Sequence, residues 1–407
     1  MTASANAPIR VDLRVLGILL ALGILYLIMM GSTFSSLGVV LPHMILSLGM
    51  NWRQAGFGFT LLALAAGSSS LLPALVIRRF GGRVTLALGV LGLMAAYATL
   101  ALAVDLPSYY LGTVLLGLGF SLIGAVPALD ILKHWAPERR SLLFGAYLAF
   151  GGLGGAFWPL VVRHAIGHLG DWRGYWWFMT ALIGIVGLLC LAVIRERPTV
   201  KAEAGEEAAG AGWSLAEALR TPQFYIVGCC IAATYLVAST VNAFTVSYLS
   251  LIGIGAGAAV LAFSVQSACH AAFPLMMGSI ADRVGVKTLL IGGLAIQVIG
   301  MLALARGGSP ALLILFAIGV GGGYGTVFLA TTLTLQLYFG ARHYAQIFGS
   351  NQLFTTISVA GPVLVGGIAD VTGRFDLSFL GCAALLLAAA LAATTLRPPA
   401  RPAEDAA

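Results

Sequence analysis

The chain has 407 residues, 59% of them hydrophobic and only 9% charged, with a net charge of +7 and a mean hydropathy of +0.97. A soluble domain carries about a quarter charged residues, because a water-facing surface needs them. So little charge over so long a chain excludes a water-soluble globular protein and makes lipid the outer solvent. The lysines and arginines are spread over short turns rather than gathered in one patch, which assigns them to membrane topology and not to nucleic acid.

The first residues are polar, with Arg10 and Arg14 ahead of the first apolar run. No small-residue cleavage site follows that run, so it reads as a retained helix. About 20 apolar residues are needed to cross the hydrocarbon core. Runs of that kind fall at 15–41, 54–77, 84–104, 109–132, 141–162 and 175–194. After a polar stretch come 223–250, 257–280, 288–305, 311–338, 344–369 and 377–396. The spacing predicts twelve transmembrane helices in an all-α membrane protein. Its expected parts are an N-terminal six-helix bundle (11–195), a linker (196–221) and a C-terminal six-helix bundle (222–398). Within the linker, Ser214 and Glu217 are spaced as a capping box that opens a short amphipathic helix, and Pro222 ends that piece.

With the N-terminus inside, 17 of the 22 basic residues fall on the inner side. Only Arg53, Arg163, Arg173, Arg306 and Arg374 fall outside, so both termini are expected in the cytoplasm. Cys190, Cys229, Cys230, Cys269 and Cys382 all lie in apolar runs without metal-site spacing, and they read as small packing residues. His164 and His168 share a helix face but have no third ligand nearby except Asp171. The glycines from Gly151 to Gly155 lie inside an apolar span, where they permit close helix packing. A Walker motif is missing, so neither ATP nor any other cofactor is expected.

Between spans eight and nine, Gly278, Asp282, Arg283, Gly285 and Lys287 follow the pattern G-x-x-x-D-R-x-G-x-K/R. This resembles the cytoplasmic loop motif of the major facilitator superfamily, whose parallel six-helix repeats match the division above. The resemblance implies a gating role for Asp282 and Arg283, with the carboxylate latching a neighbouring helix end or cation. The corresponding loop between spans two and three has Arg78 in the acidic place. Within the superfamily the chain looks most like the monocarboxylate-porter branch, which includes oxalate:formate antiporters. That likeness rests on Leu219 to Phe224 entering span seven and on Trp135, Pro137, Arg140 and Gly145. It rests also on Gly361, Pro362, Gly366, Asp370 and Gly373 in span eleven. Where the branch carries cations in spans eight and eleven, this chain has Pro274 and Asn351.

A charge at the bilayer centre is costly and is usually functional, yet no Arg, Lys, Asp or Glu stands near a span's middle here. The remaining polar groups become the candidate substrate site: His270 and Gln266 on one face of span eight, Asn242 in span seven, and Asn351, Gln352 and Phe348 in span eleven. The resemblance adds Tyr324 in span ten and Phe34 and Ser35 in span one. His270 reads as a proton carrier or anion contact, or as a neutral bridge between helices. Asp130, three residues from Lys133, reads as an ion pair or a coupling carboxylate.

The expected function is secondary transport of a small organic solute, a monocarboxylate or similar organic anion, by proton coupling or exchange. A monomer in a bacterial inner membrane is the expected setting. Efflux of a neutral or amphipathic compound is the second reading. An intramembrane enzyme or sensor is the third, and it would need a buried nucleophile–base or metal constellation that the sequence does not display.

Overall fold

The computed structural model describes residues 13–135, 140–194, 212–340 and 343–399. Eleven helices among these residues are individually long and apolar enough to cross a membrane, and a twelfth span is built from two pieces. We number the spans α1 to α12. The first, α1 (Leu13–Leu48), runs through Pro42 and stops at Gly49, whose φ of 62° is a left-handed helix end. The apolar run at 15–41 therefore understates α1 by about two turns. The divided span is α2, which covers Trp52–Ser68, breaks at 69–71 and resumes to residue 80. Gly81 then turns the chain with φ 85° and ψ 167°, and α3 (82–101) follows.

The remaining spans are α4 (Leu106–Leu132), α5 (Arg140–Leu169) and α6 (Trp172–Val193) in the first half. The second half holds α7 (Pro222–Leu251), α8 (Ala256–Gly278), α9 (Val286–Arg306), α10 (Pro310–Phe339), α11 (344–372) and α12 (Asp376–Thr394). Local chemistry sets several starts. Asn51 with Gln54 and Asp105 with Ser108 form capping boxes for α2 and α4, and Ser309 caps α10 ahead of Pro310. The Ser214–Glu217 capping box forms as its spacing predicts, over a helical turn at Leu215–Ala218. Residues 196–211 of the linker lie outside the described residues.

The two halves repeat one packing scheme. α1 lies on α5, α2 on α4 and α3 on α6; correspondingly α7 lies on α11, α8 on α10 and α9 on α12. Small residues allow the close approaches that drive association in lipid, where apolar burial supplies little. A Cβ on Gly154 would lie 2.1 Å from the Leu27 carbonyl, and one on Gly300 would lie 2.6 Å from the Val320 amide. The Gly151–Gly155 stretch is thus a helix contact, with Gly151 and Gly154 on α1 and Gly152 and Gly155 facing α8.

We call the end of the bundle that carries Gly81, Gly285 and Gly340 proximal, and the opposite end distal. Across the halves, α2 packs along α11, α1 meets α7, and α5 meets α8. The closest of these approaches lie in the distal half: Gly38 on the Asn242 carbonyl, Gly56 on the Pro362 carbonyl and Gly366 on the Trp52 carbonyl. Besides the breaks of α2 at 69–71 and of α4 at Gly124, three helices change their winding at mid-depth. α1 has a π-turn at Gly31–Ser35, α10 one at Ala317–Gly322, and α11 a 3-10 stretch at Leu353–Val359. Such interruptions concentrate at functional positions, and these three flank the site below.

Candidate functional site

The glycine pattern of α10 positions the centre of the site. Cβ atoms on Gly321 and Gly325 would lie 2.0 Å and 2.7 Å from the carbonyls of Gln266 and His270 on α8. One on Gly323 would lie 2.4 Å from Gln297 on α9. With its glycines pressed to both neighbours, α10 brings Tyr324 against His270. The ring centroids are 3.9 Å apart at 62°, an edge-to-face pair. Tyr324 also meets Tyr235 of α7 at 5.3 Å, and the Tyr235 hydroxyl interacts with both Tyr324 and Gln352 of α11. Four helices of one half thus converge at mid-depth. Tyr324 is 8% exposed, whereas His270 keeps a solvent-accessible side although protein encloses it elsewhere.

The other candidates are placed as follows. Gln266 is 4% exposed, one turn from His270, and its side-chain oxygen accepts from the Ser267 hydroxyl at 3.4 Å. Asn351 is fully buried; its amide donates to the Phe224 carbonyl at 3.0 Å, while its side-chain oxygen has no partner among the described residues. That direction takes Asn351 to the proximal start of α7, away from the His270–Tyr324 pair. Phe348 stacks on Tyr344 at 5.6 Å, and Asn242 presents its backbone to Gly38.

In the first half, Phe34 is partly buried edge-on against Phe120 of α4 at 5.3 Å, and Ser35 is buried beside it in the π-turn. Asp130 brings a carboxylate oxygen within 3.6 Å of a Cβ position on Gly82 at the start of α3, and the Lys133 side chain lies outside the described residues. The Asp282 side chain also lies outside them, and Arg283 is exposed.

Sequence reasoning passed over the residues around Phe34 that the structure ties together. Ser32 bonds the Tyr97 hydroxyl. Ser36 bonds the Tyr175 hydroxyl at 2.5 Å, and Trp158 donates to that same hydroxyl at 3.1 Å. It also passed over Tyr235, one aromatic among many in an apolar span. From the repeated loop motif, Lys287 donates to the Thr394 and Leu396 carbonyls at 2.6 Å and 2.8 Å, which joins the start of α9 to the end of α12.

Two six-helix repeats, with a polar cluster at mid-depth in the second, form the architecture of a membrane transporter of solutes, and the comparisons with known proteins agree. The Major Facilitator Superfamily model matches residues 20–265 and 228–407. The chain belongs to that superfamily. It is 23% identical over 363 residues to the oxalate:formate antiporter of Oxalobacter formigenes, covering 88% of this chain and 85% of that one. It is 25% identical over 373 residues to the multidrug resistance protein MdtG of Enterobacter lignolyticus, covering 88% and 87%. Among solved structures, a bacterial homologue of the human lysosomal transporter Spinster, in an inward-facing and unoccupied conformation, superposes with a TM-score of 0.81. The two share 17% identity over 95% of this chain and 98% of that one. The D-xylose-proton symporter gives a TM-score of 0.71 at 16% identity, covering 94% and 98%.

Proposed function

We propose that this transporter carries a small organic anion with a single carboxylate, by alternating access coupled to a proton or to exchange. The His270–Tyr324 pair carries the reading. It is an imidazole and a phenol in contact at mid-depth, in a region without lysine or arginine. A protonated imidazole and a phenol hydroxyl can neutralise and orient one carboxylate, and they offer nothing for a second. Tyr235, Gln266 and Gln352 extend the polar wall; Phe34 and Ser35 supply the facing side. Asn351, Asn242 and Phe348 act at its margin, Asp130 as a secondary coupling group, and Asp282 with Arg283 at the proximal gate. The basic residues concentrated at the proximal end make that end cytoplasmic in a bacterial cell membrane. The distal seams are then closed to the outside.

Efflux of neutral or amphipathic compounds is the second reading. It draws on the Phe34–Phe120 wall and the want of a fixed cation, and the multidrug-resistance relative suits it.

The test is transport in proteoliposomes with a series of mono- and dicarboxylates and uncharged drugs. His270→Gln should abolish pH-driven accumulation and leave exchange measurable, because exchange needs no net proton movement. Intact pH-driven uptake with only a lowered melting temperature would make His270 a helix bridge. External labelling of a cysteine placed at residue 205 in intact cells would overturn the orientation.

A further inference from the structure

We infer that Asp370 is a gate residue, a carboxylate on α11 that clasps the free N-terminus of α2 and holds the distal side of the transporter shut. The inference concerns the transport cycle itself and is independent of the solute and of the His270 cluster.

The first turn of a helix leaves amides without intrahelical partners. At the start of α2 the capping box uses the Asn51 side chain for the Gln54 amide at 2.8 Å, and the Gln54 side chain for the Asn51 amide at 2.9 Å. The Trp52 and Arg53 amides remain. Each is taken by one oxygen of Asp370, at 2.9 Å and 2.8 Å, across 318 and 317 residues of chain and from the opposite half of the protein. A carboxylate on paired amides at a helix N-terminus makes charge-assisted bonds aligned with the helix dipole. These amides are satisfied by protein only while the halves are docked at this end.

The clasp heads an antiparallel seam with a one-turn rhythm. Trp52, Gly56 and Thr60 lie on one face of α2. Along α11 they meet Asp370 and Gly366, then Pro362, then Val359. Cβ atoms on Gly366 and Gly56 would lie 2.4 Å and 2.3 Å from carbonyls of the partner helix. The Thr60 hydroxyl donates to the Val359 carbonyl at 2.6 Å, where the 3-10 stretch of α11 gives way to α-helix. The Trp52 ring seats on Phe375 at 5.0 Å and on Phe244 at 6.2 Å. Any conformer that opens the distal end must part these contacts, so their strength sets its population.

Hydrogen–deuterium exchange of the full chain in nanodiscs tests the assignment, comparing wild type with Asp370→Asn and Thr60→Val. Replacing the carboxylate by an amide removes the charge and one acceptor, which should shift the distal-open population by about tenfold. Exchange should rise in peptides covering 50–62 and 355–372. It should fall in proximal peptides covering 215–225 and 335–345, because alternating access closes one end as it opens the other. Thr60→Val should move both ends in the same directions by less. Faster distal exchange without proximal protection would reduce the clasp to local helix capping and overturn the proposal, as would unchanged exchange at both ends. A melting temperature measured alongside identifies a misfolded variant; in that event Thr60→Val alone decides, by the same two-ended criterion.

Discussion

The two halves share one helix arrangement and use their buried polar groups differently. In the first half the hydroxyls of Ser32, Ser36, Tyr97 and Tyr175 pair with one another or with Trp158. In the second half, six buried polar side-chain atoms lack partners among the described residues: those of Thr240, Thr245, Ser247, Ser264, Gln297 and Asn351. In the first half Trp176 alone is in that position. A satisfied network rigidifies, while open polar capacity is costly unless something else meets it. On the function proposed above, the first half is the frame and the second half holds the solute-binding groups.

The strongest way to break this comparison is at Tyr324. Tyr324→Ala removes the ring that His270 and Tyr235 share, and should cut transport efficiency by about tenfold or more. Uptake at the wild-type rate would move the site elsewhere. Next comes one chemical change made in both halves. Tyr175→Phe strands Ser36 and the Trp158 donor, and should lower stability by about 1–3 kcal/mol with KM unchanged. Tyr235→Phe should do the reverse, raising KM by about fivefold with a nearly constant melting temperature. If the two variants exchange these signatures, frame and site are assigned to the wrong halves.

The smallest effect sharpens the contrast at the linker. The Ser214 amide, then its hydroxyl, holds the Glu217 carboxyl below the ordinary carboxylate range. A depressed folded pKa stabilises above the unfolded value, and the contribution is lost as pH falls through the folded one. Exchange at 212–221 should therefore rise in acid below the usual glutamate range. Glu217→Gln should flatten that dependence, and a variant with wild-type acid sensitivity would remove Glu217 from the account.

Features carried by contiguous residues were legible in the sequence. Hydropathy marked the spans, the spacing of Ser214 and Glu217 marked the capping box, and the Gly151–Gly155 run marked a helix contact. The break in α2 falls in the serine run Ser68 to Ser70 with Pro73 just beyond, a signal that the mean hydropathy of the whole span conceals. The run at 15–41 stops one residue short of Pro42, yet α1 carries that proline within the span, where the loss of one amide does not end the helix. The direction of Asn351 depends on which backbone carbonyl lies within reach, and Tyr235 joins the cluster only because α10 and α11 meet it. Asp370 and Trp52 stand 318 residues apart and meet through tertiary packing alone.

The linker joins the second half earlier than its sequence suggests. Trp213 donates its amide to the Phe339 carbonyl at 2.8 Å and sets its ring edge-on to Phe339, while Gly212 pairs with Gly340. The chain from Gly212 is therefore tied to α10, and 17 residues of sequence separate Ile194 from Gly212. Fully extended, that length reaches roughly 60 Å, far more than a rocking motion between two bundles demands. Among the described residues, register between the halves is held by the seams. Severing the chain within 198–208 should leave two fragments that co-assemble and transport, whereas cutting after Trp213 should separate α10 from its anchor.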